Sequence, residues 1–168
     1  MALIVRDEEA SLPRLLDSIG WTEDAEQGSL TIDGGIVRDD APIDYVVVCD
    51  TGSTDRTVEI AHERGCRVVT FDWIDDFSAA RQASWDAIPQ GFEWLTWADA
   101  DDVIVGVENL RALAANSPPQ VAGYLMPYDY ARDDAGNCLC YLERERLIRR
   151  SAPQRWVLPV HEIGRAHV

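Results

Sequence analysis

Apolar residues along this chain gather into short unbroken runs that end in carboxylates, with helical patterns between them. Met1–Val5 reads as a strand running into Arg6-Asp-Glu-Glu9. Ser11 is placed to cap a helix whose Leu12, Leu15, Leu16 and Ile19 share one face. Trp21 to Pro42 is rich in Gly, Asp, Glu and Thr, and the pattern predicts a surface loop holding a small hairpin. Tyr45-Val-Val-Val-Cys49 then runs into Asp50-Thr-Gly-Ser-Thr-Asp55. A β-branched run with no alternation suits a parallel strand covered on both faces. Ser53 or Thr54 caps the next helix, which carries Val58, Ile60 and Ala61 and stops at Gly65; Arg67–Phe71 is the following strand. Strand, helix, strand in that compass predicts an α/β sheet.

The second half continues the pattern and then changes it. Ser78 offers a cap for a helix with Ala79, Ala80, Ala83 and Ala87, and Trp94, Leu95 and Trp97 lead a strand into Asp99, Asp101 and Asp102. Val107–Ala115 reads as a helix ended by Asn116-Ser-Pro-Pro119. Two strands, Val121–Tyr130 and Leu139–Arg149, then flank a turn at Asp133–Asn137. In the second of them Leu142, Arg144 and Arg146 alternate with Glu143, Glu145 and Leu147, and the charges read as a solvated face. The last apolar stretch, Trp156 to Glu162, closes on Val160-His-Glu162.

Ligands of such sheets bind beyond the carboxyl ends of the strands, and Asp50, Asp99 and Asp101 stand at such ends. Aspartates at i and i+2 offer hard oxygen ligands to a divalent cation. Arg81, near the same rim, is placed either to pair with those acids or to reach a phosphate. His161 is a lone histidine beside apolar neighbours, open to a structural or a metal-binding reading.

A chain of 168 residues makes one domain with a real core. The formal net charge of −15 excludes a basic nucleic-acid-binding face, and every basic residue is arginine. No apolar run is long enough to span a bilayer and the N-terminus carries no signal pattern, so a cytoplasmic location is expected. Cys49 lies within an apolar run, and Cys138 and Cys140 lack a second pair at zinc spacing, so free thiols are expected throughout.

Taken in order, Ile4-Val-Arg-Asp-Glu-Glu9, Val48-Cys-Asp-Thr-Gly-Ser-Thr-Asp55, Asp76-Phe-Ser-Ala-Ala-Arg81, Trp97-Ala-Asp-Ala-Asp-Asp102 and Val160-His-Glu162 resemble the family 2 glycosyltransferases of GT-A fold. The likeness is to the bacterial subgroup with Ile-Val-Lys-Asn-Glu-Glu and Asp-Thr-Gly-Ser-Thr-Asp motifs. It implies a mostly parallel sheet flanked by helices with a C-terminal β-hairpin, in a single domain over residues 1–162. It also implies inverting transfer of a sugar from a nucleotide-diphosphate sugar to a glycan, lipid or protein acceptor, assisted by Mn²⁺ or Mg²⁺. By that resemblance Asp50 contacts the nucleotide base or ribose, and Glu8 lines the same pocket. Asp99 faces the ribose and the metal, Asp101 ligates it, His161 completes its shell, and Arg81 faces the nucleotide or diphosphate. The acceptor hydroxyl needs a carboxylate base opposite the leaving group; Asp102, Asp129 and Glu162 are the candidates.

Arg6 and Asp7 stand where the subgroup has lysine and asparagine, and Gln82 where asparagine is common. Family members continue past the His-Glu motif, so the chain is expected to be cut short, and the second reading is a nucleotide-sugar-binding module without turnover. Ile163-Gly-Arg-Ala-His-Val168 can be spelled ATC GGA AGA GCA CAC GTC, which resembles a sequencing-library adapter; a non-native tail is the expectation. A nucleotidyltransferase of similar fold would want a basic, Gly-rich loop after the first strand, and Arg6-Asp-Glu-Glu9 is the opposite in charge.

Overall fold

A computed structural model describes residues 1–22, 30–39, 41–133, 135–158 and, as backbone, 163–166. In chain order the elements are β1 (Ala2–Val5), α1 (Leu12–Ser18), β2 (Leu30–Ile32), β3 (Gly35–Val37), β4 (Val47–Asp50), α2 (Thr57–Glu63), β5 (Arg67–Thr70), α3 (Phe77–Asp86), β6 (Trp94–Asp99), α4 (Asn109–Ala115), β7 (Gly123–Arg132), β8 (Cys138–Arg149), β9 (Gln154–Val157) and β10 (Ile163–Ala166).

Six strands form one sheet in the order β5-β4-β1-β6-β8-β7. The first four are parallel, and the β7–β8 hairpin joins antiparallel to β6. This is the mostly parallel, helix-flanked sheet with a C-terminal hairpin expected of a GT-A domain. β1 lies at its centre, with Val5 opposite Asp50 of β4 and Ile4 opposite Asp99 of β6. The register therefore brings both acids to the same end of the sheet.

Alternation along the central strands explains why their runs are apolar throughout. Leu3, Val5, Val46 and Val48 enter one core with Leu12, Leu15, Leu16 and Ile19 of the first helical segment. Ala2, Tyr45 and Val47 enter a second core with Trp85, Ile88, Leu95, Trp97 and Trp156. A strand with a core on each face has no side for polar residues.

Three local expectations need correction. α3 is capped by Asp76, whose carboxylate accepts from the Ala79 N–H at 3.1 Å and the Ser78 hydroxyl at 2.7 Å; the aspartate two residues earlier takes the cap position, and Ser78 falls inside the helix. Neither Ser53 nor Thr54 caps α2, where Asp55 accepts from the Thr57 N–H at 2.9 Å. The segment read as a surface loop from Trp21 begins with a fully buried anchor: the Trp21 indole donates to the Arg64 carbonyl at 2.8 Å and Arg38 lies 4.0 Å over its ring. The predicted hairpin is there, as β2 paired with β3. Gly65 ends α2 at φ +71, with Ile36 of that hairpin packed where a Cβ would stand.

Candidate functional site

The loop after β1 and the loop after β4 are sewn together by reciprocal bonds. Asp7, at φ +54, accepts from the Thr54 N–H at 2.7 Å, and its own N–H donates to the Ser53 hydroxyl at 3.0 Å. Glu8 N–H donates to the Thr57 hydroxyl, Glu9 N–H to Asp55, and Arg56 N–H to the Glu9 carboxylate. Thr51 donates from both its N–H and hydroxyl to the Val5 carbonyl at 3.0 Å. Asp50 folds back on its own turn, accepting from the Ser53 N–H at 3.0 Å and the Gly52 N–H at 3.3 Å, with Gly52 at φ +104. Each polar residue of Asp50–Asp55 except Asp50 thus ties the loops to each other or starts α2. The segment's first task is to hold a shape.

Between these loops, the end of β6 and the β7–β8 hairpin lies a cleft of about 450 Å³. Glu8, Asp99 and Asp101 supply its acids, Trp73, Phe77, Trp97, Tyr128 and Tyr130 its aromatic walls, and Arg6, Arg81 and Arg144 its cations. The Glu8 carboxylate accepts from the Ser11 hydroxyl. Asp101 is exposed, and its carbonyl accepts from Arg14 Nη2 at 2.8 Å. Asp50 is buried at the foot of its loop, and the adjoining Thr51 faces the cleft in its place. Asp129 is exposed between Tyr128 and Tyr130, which both line the cleft, at an irregularity in the β7–β8 register, and is not itself among the lining residues. His161 and Glu162 lie outside the described residues.

Two arginines brace the acid turn from below. Arg81, from α3, is buried and pairs with Asp99 at 2.7 Å, lying 4.4 Å over the Trp97 ring and 5.5 Å over that of Trp156. Arg146, from β8, pairs with Asp102 at 3.1 Å, donates to the Trp97 carbonyl at 2.9 Å, and lies 3.9 Å over Trp97 and 4.7 Å over Tyr128. Cation–π contact adds to a charge pair without needing further acceptors. Arg146 is thus no part of a solvated face: β8 is alternating, but one of its faces is roofed by the aromatic side chains around the turn. Asp102 and Asp99 also close the turn on themselves, through Asp102 N–H to the Asp99 carbonyl and Asp99 N–H to the Asp102 carboxylate, both at 3.0 Å. The Tyr128 hydroxyl is pushed up to about 12 by burial first and by the neighbouring Asp102 charge second.

Arg146 and Tyr128 are the residues that reading the sequence missed. The signal available for them was the alternation of β7 and β8 set against a preceding cluster of three aspartates. Asp99 and Asp101 present two carboxylates to one cleft, although among the described residues no group of three or more acid, histidine or cysteine side chains is gathered for a metal. Two hard oxygens are what a Mg²⁺-type ion takes from protein when substrate phosphates and water fill its other positions, so the donor set fits such an ion.

Comparison with known proteins gives three likenesses. The chain is 31% identical over 163 residues to a TPR repeat-containing protein of Synechococcus elongatus, covering 97% of this chain and 34% of that one. It thus spans about a third of the length of that curated relative. Among solved structures, TarS 1–349 of S. aureus matches with a TM-score of 0.47 at 20% identity, over 67% of this chain and 30% of that one. Glucosyl-3-phosphoglycerate synthase of Mycobacterium tuberculosis, in complex with uridine diphosphate, matches with a TM-score of 0.46 at 23% identity, over 68% and 37%. Residues 3–132, from the first strand through the loops, the acid turn and β7, match the family described as Glycosyl transferase family 2, and the chain belongs to that family.

Proposed function

We propose that this chain is the donor-binding and catalytic domain of an inverting glycosyltransferase that moves a sugar from a nucleotide-diphosphate sugar to an acceptor hydroxyl with the help of Mn²⁺ or Mg²⁺. The observation that carries the reading is the cleft at the carboxyl ends of β1, β4 and β6, where Asp99 and Asp101 share one wall and aromatic side chains form the others. A family member with such a cleft has the place and the ligands that the leaving diphosphate requires.

In this reading Asp101 and Asp99 hold the metal, with His161 as a further ligand. When bound, the metal supplies Lewis-acid stabilisation to the charge that develops on the departing diphosphate. Arg81 keeps the Asp99 carboxylate facing the cleft from beneath. Glu8 borders the nucleoside end, and the loop that Asp50 shapes presents Thr51 there. The acceptor enters beside the β7–β8 hairpin, where a base among Asp102, Asp129 and Glu162 takes the hydroxyl proton.

The test is thermal unfolding with UDP, GDP and dTDP in parallel, with and without Mn²⁺. A ligand of the native state stabilises by about 2.7 kcal/mol at a hundred times its Kd. One nucleotide should raise the melting temperature in a metal-dependent way, and Asp101→Ala should remove the metal-dependent part. Identical responses from wild type and variant would refute the metal assignment. Nucleotide stabilisation without donor hydrolysis or transfer would favour the binding-module reading instead.

A further inference from the structure

The acid turn carries a third carboxylate whose surroundings set it apart from the other two. Asp102 has a side chain only 10% exposed, and donors from two elements converge on it. They are the Asp99 N–H at the end of β6 and Arg146 Nη1 from β8. A general base must offer an oxygen within hydrogen-bond reach of the acceptor hydroxyl. Asp102 commits Oδ2 to both donors, its side chain is nearly buried, and it is absent from the residues that line the cleft.

Arg146 is fixed just as firmly. Its guanidinium spans the Asp102 carboxylate, the Trp97 carbonyl and the faces of Trp97 and Tyr128, and the residue is 9% exposed. Nη1 alone meets both oxygens while the planar group lies against both rings, a stacking that a lysine ammonium does not reproduce. Through Asp102 the guanidinium reaches the backbone N–H of Asp99, and so the turn on which Asp99 and Asp101 are mounted.

We propose that Asp102 and Arg146 are positioning residues, which tie the β7–β8 hairpin to the acid turn and set the direction in which Asp99 and Asp101 face the metal and diphosphate. Tyr128 belongs to the same device, since it lines the cleft and its ring lies against the Arg146 guanidinium. The inference rests on the function proposed above. It changes the part Asp102 plays in it, from base to strut.

The experiment is calorimetric titration of UDP, GDP and dTDP with Mn²⁺ into wild type, Asp102→Asn and Arg146→Lys, with donor hydrolysis and ligand-free melting measured alongside. Asp102→Asn keeps an oxygen for the Asp99 N–H and loses the charge opposite Arg146. Both variants should bind the nucleotide that wild type selects about tenfold more weakly in Mn²⁺, as loss of a group that orients metal ligands does. Asp102→Asn combined with Arg146→Lys should be no weaker than either change alone, because the two act as a unit. Should Arg146→Lys fail to fold, Asp102→Asn carries the test alone, since it removes the charge opposite Arg146 and should weaken binding in the same direction.

Three results would overturn the inference. Lower melting temperatures with unchanged nucleotide affinity would make the pair merely structural. Unchanged affinity with hydrolysis lost in Asp102→Asn would make Asp102 the base. Additive losses in the double variant would separate the two residues. A wild-type chain that takes none of the three nucleotides would instead refute the proposed function, and this inference with it.

Discussion

Arg81 Nη2 lies 2.7 Å from Asp99 Oδ1, with the arginine side chain 2% exposed and the aspartate 39%. The pair is thus rooted in the core on one side and open to the cleft on the other. Such an arrangement lets a charge be aimed into a binding site without being buried in it.

The asymmetry sets the size of a mutational effect. Breaking a fully buried pair costs about 3–5 kcal/mol. Removing Arg81 leaves Asp99 able to turn to water, so Arg81→Met should lower stability by about 2 kcal/mol. Urea unfolding monitored by circular dichroism measures this, and a loss below ~0.5 kcal/mol would show that the pair adds nothing net.

Thiol chemistry should separate the cysteines by location. Burial pushes Cys49 up to about 11 and Cys66 up to about 12, whereas Cys138 is exposed and Cys140 half-buried. Since the thiolate is the reactive form, a thiol reagent at pH 8 should modify two of the four cysteines in the folded protein and all four in denaturant. Rapid modification of four in the folded state would contradict the packing around β4 and β5.

The cap of α3 predicts a pH dependence. Asp76 is held below the ordinary carboxylate range by the Ser78 hydroxyl first and the Ala79 N–H second. A depressed folded pKa contributes stability above the unfolded value and loses it as pH falls through the folded one. Asp76→Ala should therefore melt lower than wild type at pH 7, and the gap should close on acidification below the usual aspartate range. A gap that is constant with pH would assign the effect to something other than the charge.

Gly65 and Gly52 offer a paired test of backbone strain. Both have positive φ, +71 and +104, but a Cβ at Gly65 meets Ile36 while one at Gly52 meets open space. Gly52→Ala should cost about 1 kcal/mol from conformation alone. Gly65→Ala should cost about 2 kcal/mol or more, because the β2–β3 hairpin must also shift. Equal losses in thermal unfolding would mean that Ile36 yields freely.

How much of this was legible in the sequence depended on which signals are local. The runs before Asp50 and Asp99 announced buried strands with acids at their ends, and the sheet delivers both to one rim. Periodicity says which residues share a face, but not whether another element will cover it. Arg146 shows the difference: its alternation with Glu145 and Leu147 is real, and the aromatic side chains that roof it come from β6 and β7. Asp50 shows a second limit. Its type and place fitted a ligand contact, and what could not be read was that its carboxylate also accepts from two backbone N–H groups of its own turn, in which Gly52 has a positive φ. The placement of Trp156 under Arg81 was invisible for a third reason, since it comes from a strand more than seventy residues away along the chain.

The central place of β1 has a consequence for how the chain reaches this state. Residues 2–5 are made before both of their neighbours, since one edge waits for β4 and the other for the end of β6, which follows nearly a hundred residues on. The helical segment after β1 can pack on Leu3 and Val5 early, but closing loops of that length must precede the strand pairing that stabilises β1. Folding should accordingly be governed by the arrival of β6 between β1 and β8, so that the segment carrying the acids is also the one that completes the sheet.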